Sequence, residues 1–330
     1  MHFLVTGGAG FIGSHLCERL LAGGHAVHVI DDLSTGSLAN VEPLQSRAGF
    51  SLTVDTIFNE PVLAAGMDRC DAVFHLAAAV GVRLIVESPV HTIETNVHGT
   101  ELVLRHASRR RTPVVLASTS EVYGKGTVVP FAETSALVFG APQQHRWAYA
   151  CSKALDEFLG LAYWRERQLP VTIVRLFNTV GPRQTGRYGM VVPTLVRQAL
   201  AGEPLTVFGD GSQTRSFADV ADVVQALVGL AAEPRAAGDV FNVGNPEEVS
   251  ILSLARRVLD AAGSRSPIVT VPYERAYEAG FEDLPRRVPD IAKIRALTGW
   301  TPTVGLDDIL ARVVAHERAG TALAGAPPDR

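Results

Sequence analysis

In "WAYACSKALDEF", residues 147 to 158, Tyr149 and Lys153 stand four apart and share one face if the segment is helical. A free phenol titrates near pH 10 and is a poor base at neutral pH. A neighbouring ammonium favours the phenolate and draws that value toward working pH. The pair is therefore equipped to take a proton from an alcohol. Oxidising the alcohol carbon in the same step requires a hydride acceptor, and the start of the chain holds a frame for one.

"LVTGGAGFIGSHL", residues 4 to 16, sets Gly7, Gly10 and Gly13 between an apolar β-branched run and a helical pattern. Gly7 permits a tight turn, Gly10 lets the backbone approach a pyrophosphate, and Gly13 lets helix and strand pack closely. The diphosphate then lies at a helix N-terminus, where free N–H groups and the dipole favour negative charge. Eighteen residues after Gly13 the second strand ends in "HVIDD", which puts Asp31 where a carboxylate accepts hydrogen bonds from both hydroxyls of an adenosine ribose. A phosphate there would be repelled, so the expected cofactor is NAD rather than NADP.

These groups need a rigid frame, and the first half of the chain has the pattern of one. "HFLVT", "AVHVI", "FSLTV", "DAVFHLA", "PVVLAS" and "VTIVRLF" read as buried strands, with amphipathic segments between several of them. The alternation implies an α/β fold, a doubly wound parallel sheet of Rossmann type. "DVFNVG", residues 239 to 244, reads as a further strand after an interruption. From about residue 177 Gly and Pro punctuation thickens, so the expected division is a cofactor-binding domain over 1–176, with a segment near 211–245 returning to it. A smaller α/β substrate domain takes most of 177–330. The tail "GTALAGAPPDR" is expected to fray.

Composition narrows the class. Hydrophobic residues at 47% against 19% charged describe a globular chain, long enough at 330 residues for about two domains. A net charge of −4 offers no basic surface for nucleic acid or an anionic membrane, and the run Arg105 to Arg111 reads as a solvated helix end. Cys17, Cys70 and Cys151 lie far apart without CxxC spacing, which argues against zinc, any other metal site or a disulfide framework. No apolar run reaches the roughly 18 residues of a membrane span. "HFLVT" begins at once, leaving no room for a secretory signal, so a cytoplasmic location is expected.

The glycine spacing is GxxGxxG, and with Tyr149 and Lys153 it resembles the extended short-chain dehydrogenase/reductase superfamily over nearly the whole chain. The resemblance implies that Asp55 approaches the adenine and that Leu76, Ala77 and Ala78 of "HLAA" line the cofactor cleft. It also assigns to the cofactor Phe11, Ile12, Asp32, Ser34, Thr35 and Gly36, together with Tyr149 and Lys153, while His75 reads as a packed strand residue. Tyr149 would deprotonate a sugar hydroxyl, and Lys153 would also hold the nicotinamide ribose. In "LASTSEVYG", residues 116 to 124, Thr119 matches the hydroxyl residue beside the tyrosine. Ser120 and Glu121 fall where nucleotide-sugar 4,6-dehydratases carry an Asp-Glu pair. Without that Asp the expulsion of a C6 hydroxyl lacks its proton donor, and the Thr119, Ser120, Glu121 triplet instead matches enzymes acting on UDP-glucuronate.

On the substrate side the resemblance points to Asn178 for the first phosphate, Val192 at a helix start near uracil, and Val207 and Phe208 for the uridine. Arg215 would meet the diphosphate, Arg287 the diphosphate or the sugar, and Asp283 the uridine ribose. Arginine suits this work because its planar fork binds phosphate or carboxylate bidentately. Arg83 and Arg187 are candidates to hold a C6 carboxylate. Oxidation at C4 of a hexuronate gives a β-keto acid, which loses carbon dioxide only if the bond to the carboxylate lies parallel to the carbonyl π orbital. If that orientation is denied and the sugar turns over, hydride returns to the other face and gives the C4 epimer. Segments 77–89, 175–190 and 281–289 look more like the epimerase branch, so UDP-glucuronate 4-epimerase is the expected activity. UDP-glucuronate decarboxylase and UDP-glucose 4-epimerase are the alternatives. A non-catalytic nucleotide-sugar binder on the same fold is disfavoured by the intact Thr119, Tyr149 and Lys153. Helices near 92 to 108 and 149 to 168, with Leu155, Phe158, Leu159 and Tyr163, are expected to pair across a two-fold axis as a homodimer.

Overall fold

A computed structural model describes residues 1–81, 88–185, 190–272 and 286–324. The six apolar runs of the first half form β1 (His2–Thr6), β2 (Ala26–Asp31), β3 (Phe50–Val54), β4 (Ala72–His75), β5 (Val114–Thr119) and β6 (Val171–Leu176). After two short pieces, β7 (Thr179–Val180) and β8 (Leu205–Phe208), come β9 (Thr214–Ser216), β10 (Ala218–Asp219) and β11 (Asp239–Val243). β11 joins the six to make one parallel sheet in the order β11-β6-β5-β4-β1-β2-β3. The "DVFNVG" run therefore does return to the sheet. Strand order reverses between β1 and β4, so a crevice opens outside their C-terminal ends, where ligands bind in open sheets of this kind.

Near-continuous apolar strands require cover on both faces. One face is covered by α1 (Phe11–Ala22) and, late in the chain, by α7 (Val220–Ala231), with Leu16, Leu20, Val223 and Leu227 packed against Val5, Val29 and Phe241. The opposite face carries α2 (Glu60–Asp68), α4 (Gly99–Ser108) and α5 (Trp147–Arg167). A short α3 (Pro89–Ile93) and one wide turn over Glu94–His98 lead into α4. Leu159 and Tyr163 of α5, expected on an outward face, pack partly into this core instead; Leu155 and Phe158 are the exposed pair. The difference follows from helical phase, because 155 and 158 face away from the sheet while 159 and 163 turn back toward it.

A second core gathers α6 (Val191–Ala201), β8, α8 (Ile251–Ala262) and α10 (Leu306–Ala324) around Leu195, Val207, Leu254, Val258 and Ile309. β12 (Glu248–Ser250) pairs antiparallel with β9, and β13 (Ile268–Val271) parallel with β8. Later in the chain, before α10, α9 (Ala292–Thr298) packs beside β11. α10 continues as helix to Ala324, beyond the Gly320 at which fraying was expected.

At the start of α1 the backbone is too crowded for a side chain. A Cβ on Gly13 would overlap the carbonyl oxygen of Gly7 and come within 2.7 Å of Gly8 Cα. Gly13→Ala should therefore push α1 off β1 at a cost of about 1–3 kcal/mol. The expected readout is a melting temperature several degrees lower together with weakened NAD binding; an unchanged melting curve would refute the packing argument.

Candidate active site

The glycine loop turns at Gly7, whose φ of +74° suits glycine, and whose Cβ would lie 2.7 Å from the Ala77 nitrogen. That closeness brings Leu76, Ala77 and Ala78, all half-buried, against the loop. α1 begins at Gly10 with no side-chain cap and no acidic residue in its first turn, so its terminal N–H groups are left for an anion. The buried Asp31 accepts the Ala9 and Leu33 N–H groups, each at 2.8 Å, and so ties the loop to the end of β2. Burial raises its carboxyl above the ordinary range, while those two N–H bonds oppose the rise. Gly36 passes beside Asp31, where a Cβ would lie 2.9 Å from Asp31 Oδ1, and Phe11, Ile12, Thr35 and Gly36 are half-buried. Asp32 accepts from the Ser34 N–H and hydroxyl at 2.9 and 2.6 Å, and Asp55 from the Thr56 N–H and Asn59 Nδ2 at 2.7 and 2.8 Å. These residues fit a dinucleotide: an open helix terminus for the pyrophosphate and a carboxylate at the end of the second strand for a ribose.

The first turn of α5 brings Tyr149 beneath the end of β5. A hydrogen bond joins the Tyr149 and Thr119 hydroxyls, and Thr119 Oγ1 also accepts the Glu121 N–H at 3.2 Å, capping the short turn Ser120–Tyr123 that buries Ser120. Tyr149 is buried, and its phenol is pushed up from 10, first by burial and then by the Glu121 carboxylate; the Thr119 bond opposes this and Asp156 adds to it. Lys153 does not point its charge at the phenol alone. Its Nζ donates at 2.8 Å to Asp156 Oδ2, and both groups are sealed from water.

Arg287 reaches into the same place from the C-terminal part of the chain. Its Nη1 meets Glu121 Oε1 at 3.3 Å, it is 7% exposed, and its buried Nε has no partner among the described residues. A buried guanidinium N–H left without an acceptor is costly, and an incoming anion would satisfy it.

Other side chains hold α5 in place. Asn96 of the wide turn accepts the Ala79 N–H at 2.9 Å and donates at 3.0 Å to Ser152 Oγ, which in turn donates to the Tyr149 carbonyl at 2.8 Å. Glu157 receives Arg175 through Nε at 2.8 Å and Nη2 at 2.6 Å, and the Ser118 hydroxyl at 2.5 Å, clamping α5 to β5 and β6. Arg175 stacks on Tyr123, whose hydroxyl donates to Asn242 Oδ1 at 2.7 Å. His75, as expected, is a packed strand residue, with Nδ1 2.7 Å from Thr6 Oγ1 and Nε2 3.2 Å from Thr100 Oγ1. Asn96, Asp156, Glu157 and Arg175 were not singled out from the sequence. Only the three-residue spacing of Lys153 and Asp156, a helical neighbour distance, was there to be read.

Among the substrate-side candidates, Asn178 sits beyond β6 at φ +30° and donates Nδ2 to the Ser216 carbonyl at 2.8 Å. The side chains of Val192 and Val207 are core, at the heart of the second cluster, so what either residue presents to a uridine is its backbone. Strand alternation explains it: Leu205 and Val207 point inward, Thr206 and Phe208 outward. Val192 keeps its backbone at the start of α6. Arg215 is buried and donates Nη1 to the Thr214 carbonyl at 2.7 Å. Arg83, Arg187 and Asp283 lie outside the described residues. Arg183, beyond β7, donates to Ser14 Oγ at 3.1 Å and Glu18 Oε1 at 2.5 Å, fastening this loop to α1.

Residues 3–244 match the NAD dependent epimerase/dehydratase family, and the chain belongs to it. It is an NAD-dependent enzyme of the nucleotide-sugar epimerase and decarboxylase kind. It is 41% identical over 312 residues to the UDP-N-acetyl-alpha-D-glucosaminuronate decarboxylase of Bacillus cytotoxicus, covering 94% of this chain and 96% of that one. With UDP-glucuronic acid decarboxylase 1 of Danio rerio it shares 38% identity, over 95% of this chain and 72% of that one. A UDP-glucuronic acid 4-epimerase from Bacillus cereus, solved with UDP-glucuronic acid and NAD, superposes with a TM-score of 0.87 at 29% identity, covering 97% and 99% of the two chains.

Burial holds His75 neutral, with its value lowered from 6.5 to about 3. Between those limits the unfolded chain binds a proton that the folded one does not, so stability falls as pH drops below 6.5, by up to about 1.4 kcal/mol per unit from this group. His75→Gln should flatten that part of the slope in denaturation midpoints measured from pH 7 to 4. An identical slope in both proteins would contradict it.

Proposed function

We propose that the protein decarboxylates the hexuronate of a UDP-sugar through a 4-keto intermediate. The observation that carries this reading is the buried Arg287 guanidinium, paired with Glu121 beside Tyr149 and Thr119 and holding an unsatisfied N–H. Such a group seats an anion next to the reacting carbon. Thr119 orients the C4 hydroxyl and Tyr149 removes its proton. Lys153 and the uncapped start of α1 hold the dinucleotide. When bound, NAD supplies the acceptor for the C4 hydride and later its donor. The resulting β-keto acid loses carbon dioxide when its carboxylate stands out of the carbonyl plane, and a site that holds an anion at one fixed place beside the sugar is able to impose that angle. Ser120, buried and without an acid function, offers no proton for expelling a C6 hydroxyl, which sets dehydration aside.

Support for decarboxylation over epimerisation comes from Arg287 and Glu121, which resemble decarboxylase positions, and from relatives of that activity at 41% and 38% identity. This reverses the order of preference taken from the loop segments. UDP-glucuronate 4-epimerase remains the second reading, favoured by those segments and by the Bacillus cereus structure.

The reading includes a homodimer. Cys151, Leu155 and Phe158 form one exposed stripe on α5, flanked by exposed Val90 and Ile93 on α3, and Phe158 is 66% exposed. A contiguous apolar patch of this kind marks an interface. A double change, Leu155→Asp with Phe158→Asp, should halve the mass seen by sedimentation; a variant that keeps the parent's mass would sink the assignment.

The reaction itself is tested by following UDP-glucuronate and UDP-N-acetylglucosaminuronate by NMR with the purified protein. A UDP-pentose product with release of carbon dioxide is expected from one of them, and Tyr149→Phe should abolish it while NAD stays bound. UDP-galacturonate or its N-acetyl counterpart without loss of carbon would overturn decarboxylation in favour of epimerisation.

A further inference from the structure

Arg287 and Glu121 are 166 residues apart in sequence, so the contact between them is only as well defined as the two backbones that carry them. Both backbones lead to one side chain. Asn242 of β11 is sealed from water, and its amide is engaged at both ends. Oδ1 accepts the Tyr123 hydroxyl at 2.7 Å, while Nδ2 donates to the Phe131 carbonyl at 2.8 Å and to the Asp290 carbonyl at 3.1 Å. Two carbonyl oxygens on one side and a hydroxyl donor on the other call for an amide. A carboxylate has no proton to give and a hydroxyl has one.

Tyr123 ends the short turn that begins Ser120, Glu121, so its ring is carried two residues from the carboxylate. That ring stacks on Phe131 with centroids 4.6 Å apart and planes 4° from parallel. Phe131 in turn brackets the residues that follow Arg287. Its N–H donates to the Val288 carbonyl at 2.8 Å, and its carbonyl accepts the Asp290 N–H at 2.8 Å. Ser216 Oγ adds a longer bond, 3.4 Å, to the carbonyl of Arg287 itself. The Asn242 backbone is fixed as well, since its N–H donates to Glu133 Oε1 at 2.8 Å and β11 is paired along its length with β6.

We propose that Asn242 is a positioning residue for the anion site, holding the Glu121 turn through Tyr123 and the Arg287 segment through Phe131 and Asp290, both from one point on the sheet. The inference rests on Glu121 and Arg287 forming that site, as proposed above. Without the amide, the Tyr123 hydroxyl and the Asp290 carbonyl each lose a buried partner, and each relaxes toward whatever polar group or water it can reach. The turn and the Arg287 segment then move independently. A pair closed at 3.3 Å has little tolerance for such movement, so the guanidinium no longer stands at one place beside the sugar.

Two measurements test this. The coupling between Glu121 and Arg287 is read from a cycle of Glu121→Gln, Arg287→Gln and the double variant, as unfolding equilibrium constants at one protein concentration and saturating NAD. With Asn242 present the coupling should be about tenfold, and with Asn242→Ser in all four proteins about twofold or less. Tyr123→Phe, which deletes only the hydroxyl that Asn242 accepts, should bring it part of the way down, and it decides the matter alone if Asn242→Ser does not fold. A purely structural Asn242 would lower the stability of all four proteins alike. Coupling that is unchanged in these backgrounds, or absent in the wild type, overturns the proposal. The second measurement is the calorimetric affinity of NAD-loaded protein for UDP-glucuronate against UDP-xylose, which lacks the carboxylate. Asn242→Ser should lose as much of the preference for the acid as Arg287→Gln does, and the two changes together should lose no more. A preference kept in Asn242→Ser and lost in Arg287→Gln would also overturn the positioning role. If the wild type shows no preference, the anion-site reading fails, while the coupling cycle, which needs no substrate, still decides on Asn242.

Discussion

Three cations sit out of reach of water around one helix, and each carries its own carboxylate: Lys153 with Asp156, Arg175 with Glu157, and Arg287 with Glu121. Burying a charge is tolerable only when it is paired and hydrogen-bonded, so the pairing of Glu157 on α5 with Arg175 on β6, joined by the Ser118 hydroxyl of β5, constrains where that helix can lie. Because Tyr149 rides on the first turn of that helix, the position of the base is inherited from it. Loss of one partner would leave a buried charge alone, which explains why the arrangement has little slack.

The sheet supplies the other half of the geometry. Reversal of strand order between β1 and β4 opens the crevice, and the approach of α1 to β1 through Gly7 and Gly13 brings an uncapped helix terminus to its floor. β5, the second strand over from β1, ends at Thr119, so the Thr119 hydroxyl and the uncapped helix terminus are set by one rigid body. The far part of the chain reaches this crevice as well. Arg287 comes from beyond the second core, and its meeting with Glu121 joins the far part of the chain to the end of β5.

Tyr149 and Lys153 are shared by enzymes that end in different products, which is why the Glu121 and Arg287 pair carries more weight in choosing among them. A common first oxidation leads to a 4-keto sugar, and the angle at which the next bond is held selects the outcome. Under the decarboxylase reading, the buried Arg287 guanidinium is the feature that bears on that angle.

Much of this was legible in the residues alone. Apolar β-branched runs predicted all seven strands of the main sheet, because strands covered on both faces are dominated by apolar residues. The glycine spacing predicted the loop, since no other residue fits where Gly7 and Gly13 stand. Tyr149 and Lys153 were legible because helical periodicity is local. What only the tertiary structure decided are the matters that depend on elements far apart in sequence. Leu155 is left outside while Leu159 turns in, Arg287 finds Glu121, and Arg175 meets Glu157 across the gap between β6 and α5. Local pattern specifies which face a residue lies on, but the partner across the gap, and hence the balance of buried charge, exists only once the chain has closed around it.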